Sequence, residues 1–581
     1  MDLVSHPKTE ATNANHGERW VQPTANGPMG PTDWSSVDWR KANRQVRLLR
    51  QRIFRATQAG DLRTVRSLQK LMLRSYANRL VSVRRVTQVN PGRRTAGVDR
   101  VLVKTPKARG QLVDELRHYH PWMAGPTKRV YIPKANGKQR PLGIPTIRDR
   151  ALQAMVKNAL EPSWEARFEA TSYGFRPGRS CHDALERLHR LLNTRTRWKW
   201  VVDADIEGAF DHIDHAFLLD TIGPVPGREL IKQWLKAGCL DRGVIRSTHE
   251  GTPQGGVISP LLLNVALHRM EEALHVTRDC RGRIVSPCAV VRYADDFVVA
   301  CTTKDAAEQA IAHLSPWLAR RGLALSHKKT RIVHIADGFD FLGFTVRQHN
   351  APATKKQGRV LLITPSHESV RTLRARLRAE WIALRGVSVR AVPQHLNPLI
   401  RGWAHYFRAG NASHTFRALD NWMFRREVQY VRYMNPGKGT AWTKQRYWGL
   451  THRDGKDHWV FGDKETGVKL VKFRWYPMRH HVLVTGTNSP DDPTLRTYWH
   501  ERQRHLARVL TPSDQRIAHR QHYTCEVCGE SLFNGEETHV HHIRPRAQGG
   551  MDCYANLTFR HMYCHQQSHA ERYDMEGRGQ L

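Results

Sequence analysis

The sequence lacks any apolar run approaching the ~18–20 residues that a membrane-spanning helix requires. It shows no apolar leader core near its N-terminus and is short of acid. Its 53 Asp and Glu stand against 92 Lys and Arg, a formal charge of +39 with a pI near 10.4. The first two absences argue against membrane and secreted classes. The third leaves a self-repelling surface unless a polyanion offsets it. Basic residues recur along nearly the whole chain, which points to an extended nucleic-acid track rather than one patch. Cysteine is scarce, nine in 581 residues. Cys181, Cys239, Cys280, Cys288 and Cys301 are scattered, as free thiols in a reducing compartment are. Cys525, Cys528, Cys553 and Cys564 crowd near the end with metal-like spacing. The length exceeds a single core, and three or four domains are expected.

What is present centres on Ala289–Ala300, AVVRYADDFVVA. Apolar, β-branched residues on both sides predict a strand–turn–strand with Tyr293–Asp296 in the turn. Two adjacent aspartates repel each other and form strands poorly. In a turn they are compatible with plain solvation; inside a buried hairpin they suit a divalent cation. A third carboxylate comes from WVVDADIEGAFDHID, residues 200–214. Alternation places Asp203 and Asp205 on one face of a strand, and sheet pairing brings Asp205 against Asp295. Asp203 serves equally well in folding or orientation. Two cations bridged by such carboxylates activate a 3′-hydroxyl and neutralise pyrophosphate in nucleotidyl transfer.

Around this pair the chain is basic. Residues 1–33 read as disordered or as an arm on a partner. Arginine-rich amphipathic helices follow near Val46–Ile53 and across Asp61–Leu80. Arg84–Arg94 is dense enough in charge to favour phosphate contact. A hairpin over 127–144 carries Lys128, Arg129, Lys134, Lys138 and Arg140 around an Asn136–Gly137 turn, suited to a triphosphate or a backbone. Arg176 and Arg179 precede a helix capped by Ser180 with Asp183, a setting suited to an anion. In EGTPQGGVISPLLLN the glycines Gly251, Gly255 and Gly256 permit close approach to a base pair or sugar, and Gln254 offers an amide to read or brace it. Aromatics at helical spacing around Trp403, Tyr406, Phe407, Trp422 and Phe424 read as packing ahead of base stacking. Lys438–Pro512, mixed basic and aromatic, reads as a small nucleic-acid-binding unit.

The C-terminal unit carries CEVCG, HVHHI and HMYCHQQSH. Cys525, Cys528, His561 and Cys564 make a complete structural zinc set; Cys553 is unplaced and competes with His561. The remaining His541, His542, Asn556, His565 and His569 imply a second, catalytic metal, with His565 and His569 on one helical face. A purely structural ribbon with surface histidines is the plainer alternative.

RPLGIP, SYGFRPGRS, DADIEGAFD, GTPQGGVISPLLLN, YADD and FLGF together resemble the bacterial group II intron-encoded reverse transcriptase–maturases that carry an HNH endonuclease. The resemblance implies a multidomain α+β protein: right-hand polymerase fingers and palm, a helical thumb (maturase) domain, a small DNA-binding domain and a zinc-bound ββα-metal nuclease. Boundaries follow as an arm at 1–33, an N-terminal RNA-binding extension at 34–126, fingers and palm at 127–364, thumb at 365–434, DNA-binding domain at 435–512 and nuclease at 513–581. It implies Asp205, Asp295 and Asp296 as ligands of two Mg²⁺ ions and Phe210 as the screen against a ribose 2′-hydroxyl. Arg129, Lys138, Arg140 and Gln254 then contact the dNTP. His541, His565 and His569 hold the nuclease metal, His542 is general base and Asn556 positions it, with His541 and His542 able to exchange. Intron RNA, target double-stranded DNA and a DNA primer 3′ end are the implied partners, without a membrane, in a bacterial cytoplasm and at the nucleoid. Implied functions are splicing assistance, reverse transcription and second-strand cleavage for retrohoming. A polymerase retained for defence or repair, or a splicing-only RNA-binding factor, is the alternative; the intact nuclease and catalytic residues count against both.

Overall fold

The computed structural model describes residues 30–117, 123–133, 139–193, 196–351, 358–450, 457–508, 510 and 512–568. Residues 1–29 of the arm expected over 1–33, the hairpin turn with Lys134 and Lys138, and His569 lie outside them.

The architecture is mixed α+β in several units. The first is helical: Trp39–Gln58, Leu62–Arg74 and Tyr76–Arg84. The single helix expected over Asp61–Leu80 is two, because the Ser75 side chain accepts from Asn78 N and caps a new start. Trp39, Val46, Ile53, Val65, Leu68 and Met72 face inward at helical spacing against the buried helix Ile147–Glu165.

The strands run in order as β1 Thr127–Pro133, β2 Gln139–Ile144, β3 Trp200–Asp205, β4 Cys239–Asp241, β5 Val244–Arg246, β6 Cys288–Tyr293, β7 Asp296–Cys301, β8 Arg331–His334, β9 Phe339–Phe341, β10 Phe344–Asn350, β11 Arg359–Pro365, β12 Gly462–Asp463, β13 Val468–Lys469, β14 Thr538–His542 and β15 Leu557–His561. The sheet that matters most has the order β6-β7-β3-β8. Its centre, β7, is Phe-Val-Val-Ala-Cys after Asp296 and is wholly buried past that residue, as a central strand covered on both faces should be. A second sheet, β2-β1-β4-β5, includes a parallel β1–β4 pairing. Sheet β11-β10-β9 leads to the helices His367–Ala383, Ala391–Phe407 and Ser413–Met434. Of the aromatics expected to pack, Trp403 lies 4.2 Å from Phe407 between ring centroids and Phe407 is buried, whereas Phe424 is exposed; Trp381, Phe416 and Tyr430 complete the buried set.

The described residues of 440–476 build no core of their own. Tyr447, Trp448, Phe461, Leu470 and Phe473 join the core of the three helices. The following stretch turns back to the first half of the chain: Arg502 Nη2 donates to Asp183 at 2.9 Å, Val484 N to the same oxygen at 2.8 Å, and Arg50 grips Asp491 at 2.7 and 2.8 Å. The C-terminal β14–β15 unit likewise shares its core with the N-terminal helices. No helix among the described residues is long and apolar enough to cross a membrane.

Candidate functional site

The acidic hairpin forms as its sequence predicts. Tyr293 pairs with Asp296, leaving Ala294 and Asp295 as the two turn residues, with Ala294 at φ +60°. Antiparallel pairing of β3 with β7 sets Asp205 directly opposite Asp296. The three carboxylates therefore gather at one end of the sheet. Burial, with Asp295 and Asp205 beside it, pushes Asp296 up to about 7, and Asp205 hydrogen-bonds it. Asp295 is raised too, first by burial and then by Asp205, while the Arg140 charge opposes the rise. Such crowding of buried carboxylates is what a hard dication relieves. Lys329 Nζ lies 2.6 Å from Asp205 and Arg331 Nε 2.9 Å from Asp203. Asp203 is thus held by β8, the orienting alternative.

The turn is braced from behind by residues that carried no role in the sequence. Arg292 is fully buried; its Nη1 donates to Asn264 Oδ1 and to Ala294 O, both at 3.1 Å. Asn264 Nδ2 in turn donates to Gly174 O at 2.8 Å. Residues 171–173 run alongside β6, with Arg292 N to Thr171 O and Tyr173 N to Arg292 O, both at 2.9 Å.

Phe210 is buried beside the turn of residues 206–214, its ring 6.3 Å from that of Phe175. Gly251 adopts φ +81° because the loop presses onto the chain at Phe210 and Asp211; an added Cβ would lie 2.4 Å from Asp211 O. The nearest atoms to a Cβ on Gly251, Gly255 and Gly256 are Asp211 O, Gly143 O and Ser259 Oγ, so the loop is packed tightly onto the chain. Gln254 accepts Gly143 N through its backbone, and its buried side-chain Oε1 has no hydrogen-bond partner among the described residues. Arg129 reaches Cys239 Sγ at 3.7 Å.

Two arginines expected at an anion do other work. Arg176 is buried in a bidentate pair with Glu165, 2.9 Å at each nitrogen, and also donates to Glu169 O and Ser172 O. Arg179 donates to Gly486 O and Asn488 O. All three guanidinium nitrogens of Arg176 donate to the chain around it, whereas Arg179 does so through Nη2 and its buried Nε and Nη1 have no hydrogen-bond partner among the described residues. Ser180 and Asp183 do make the predicted capping box.

At the C-terminus, Cys525, Cys528, His561 and Cys564 are all buried and bring their ligand atoms within 4.8 Å of one another, a metal-binding cluster. Cys553 is exposed and apart from it. Alternation along β14 sends His541 and His542 to opposite faces. His541 is buried, its ring 5.0 Å from that of His565. His542 Nε2 lies 2.6 Å from Asp552 Oδ1, and Arg546 grips the same carboxylate. Asn556 does not hydrogen-bond His542: its amide bonds Arg544 N at 2.7 Å, Arg544 O at 3.0 Å and Met551 O at 3.0 Å. It holds the loop between β14 and β15, and Asp552 holds the histidine. Asp552 was unreadable from spacing because aspartate in a Gly-Gly-Met-Asp stretch is an ordinary loop residue.

Four family models match in chain order: the N-terminal domain of reverse transcriptase at residues 34–116, reverse transcriptase (RNA-dependent DNA polymerase) at 132–346, the group II intron maturase-specific domain at 370–448, and HNH endonuclease at 525–571. Protein YkfC of Escherichia coli (strain K12) is 37% identical over 327 residues, covering 50% of this chain and 85% of that one. The group II intron-encoded protein LtrA of Lactococcus lactis subsp. cremoris is 32% identical over 296 residues, 40% of this chain and 49% of LtrA, so the match spans about half of LtrA's length. The structure of telomerase from Candida albicans aligns at 13% identity and a TM-score of 0.30, over 54% of this chain and 59% of that one, too loosely to add anything. The chain belongs to the group II intron-encoded reverse transcriptases/maturases that carry an HNH domain. Its two enzymatic domains are a polymerase and a nuclease.

Proposed function

We propose that this protein copies RNA into DNA at Asp205, Asp295 and Asp296 by two-metal nucleotidyl transfer, cuts DNA with its C-terminal unit, and assists splicing of a group II intron RNA. The observation that carries the polymerase reading is the register that sets Asp205 opposite Asp296 beside the Ala294–Asp295 turn. Two Mg²⁺ ions at such a cluster would favour ionisation of a primer 3′-hydroxyl and neutralise the departing pyrophosphate. The chain's own residues do the positioning. Asp205 and Asp296 face each other across rigid strands, and Arg140, whose charge is felt at Asp295, faces the dNTP triphosphate. Phe210, fixed by the Thr252 N to Phe210 O bond at 2.6 Å, excludes a 2′-hydroxyl by bulk.

In this reading residues 127–364 are fingers and palm, 365–434 the thumb, 34–126 the RNA-binding extension and 435–512 the DNA-binding segment. Zn²⁺ suits the soft, buried Cys/His set. His541 and His565, with His569, would hold a divalent nuclease metal, and His542, oriented by Asp552, is the general base that deprotonates water. The broad positive charge serves intron RNA and target DNA, and cleavage of the second strand supplies the primer end for retrohoming.

Sequencing the RNA that co-purifies with the protein tests this. An intron with defined splice junctions is expected; a broad sample of cellular RNA with no intron enriched would overturn the maturase role and favour a host polymerase.

A further inference from the structure

The Cys/His cluster has a participant from the far end of the chain. Arg84, the last residue of helix Tyr76–Arg84, is 6% exposed, and its Nη2 lies 2.9 Å from Cys564 Sγ. Its guanidinium sits 4.5 Å over the Trp39 ring, and among the described residues its one side-chain hydrogen bond is to that sulfur. A basic stretch read as phosphate-binding thus begins with an arginine turned inward. Further contacts line the same joint: Asn43 Nδ2 donates to Cys528 O at 3.0 Å, Gln567 Nε2 to Ser35 O at 3.0 Å, and Arg47 lies 3.8 Å from Glu530.

Charge explains the arrangement. Three thiolates and a neutral imidazole around a dication leave one net negative charge in a buried site. A buried charge needs a partner, and so does a buried guanidinium. Glu536 is the nearby carboxylate whose field reaches Arg84, but it makes no ion pair with it. We propose that Arg84 is the counter-charge of the metal–thiolate centre, and that this centre fastens the nuclease unit to the N-terminal helices. The inference rests on reading the cluster as a zinc site. Without the metal the four ligand side chains lose the ion that draws them together, the net charge that Arg84 balances goes with it, and the joint loosens. Metal binding and docking are therefore linked, and each must strengthen the other equally.

The test uses the full chain. Zinc affinity is measured by competition with a chromophoric chelator for the parent protein, Arg84→Gln and Arg84→Lys. Loss of such an outer partner typically weakens metal affinity about 10–100-fold; that loss is expected for Arg84→Gln, with most of it recovered in Arg84→Lys. Hydrogen exchange along Trp39–Gln58 is followed before and after chelation of the parent protein, which needs no variant to fold. Exchange is expected to rise when the metal leaves. Affinity within about twofold of the parent in Arg84→Gln, well short of the usual outer-partner loss, or unchanged protection of Trp39–Gln58 after chelation, would overturn the proposal. A parent chain that binds no zinc would overturn the metal reading itself, and this proposal with it.

Discussion

The backbone of Gly174 lies against that of Ala294: a Cβ on Gly174 would stand 2.3 Å from the Ala294 nitrogen and 2.9 Å from the Tyr293 carbonyl carbon. Both obstacles are backbone, and Asn264 ties Gly174 O to the Arg292 brace beneath the turn. Gly174→Ala must therefore displace the carboxylate-bearing turn. A displacement near 1 Å at a reacting site costs on the order of 10²-fold in rate. Primer extension by Gly174→Ala is expected to fall by about that factor while DNA nicking by the C-terminal unit persists. Parental primer-extension rates would separate this contact from catalysis.

Replacing Asp295 and Asp296 together with alanine removes two of the three converging carboxylates without touching the strand core behind them. cDNA synthesis in a primer-extension assay is expected to be abolished. Intron RNA binding, measured by filter retention, and splicing assistance are expected to remain largely intact. Unchanged extension in the purified variant would reject the site.

His542 and Asp552 offer a second, separable test. His542→Ala is expected to stop second-strand cleavage on a labelled duplex while polymerisation continues. Because Asp552 orients the ring from 2.6 Å, Asp552→Asn is expected to slow the same cleavage by about 10–100-fold, the usual cost of losing such an orienting partner. Full-rate cleavage by either variant would assign the base elsewhere.

Glu427 makes a prediction about pH. Burial pushes its carboxyl from 4.5 up to about 7, against a 3.0 Å hydrogen bond from the Trp448 indole. Between those values the folded chain keeps a proton that the unfolded chain releases, so this group's contribution to stability falls as pH rises across the window and flattens above about 7. Glu427→Gln should remove that slope and stabilise the helices at pH 8 by up to about 3 kcal/mol. Melting temperatures of both proteins across pH 5–8 check it; parallel curves would show that Glu427 does not titrate with folding.

The parts that sequence reveals are those written in short-range patterns. Continuous apolar, β-branched runs delivered β6 and β7, the period of two placed Asp203 and Asp205 on one face of β3, and together they gave the carboxylate cluster. Ligand spacing delivered Cys525, Cys528, His561 and Cys564. Charge alone misleads, because sequence does not say which arginine turns inward. Arg84, Arg176 and Arg179 stand in basic or glycine-rich runs that look made for phosphate, yet their guanidinium groups meet the Cys564 sulfur, Glu165 and backbone carbonyls. Strands β4 and β5, three residues each, are too short to show a period. The nucleic-acid glycines were identified as sites of close approach, but their neighbours are set by contacts with distant parts of the chain. The same holds for residues 435–512, whose apolar side chains complete a core begun earlier.

The Arg50–Asp491 pair joins residues 441 positions apart. At roughly 5–20 residues per second, a ribosome takes on the order of half a minute to a minute and a half to make the stretch between them. Throughout that interval helix Trp39–Gln58 waits with Arg50 lacking its Asp491 partner and its Cys528 contact unformed. This helix, the first among the described residues, is thus among the last to be finished, and a prematurely terminated product leaves the side of it that meets Asp491 and Cys528 uncovered.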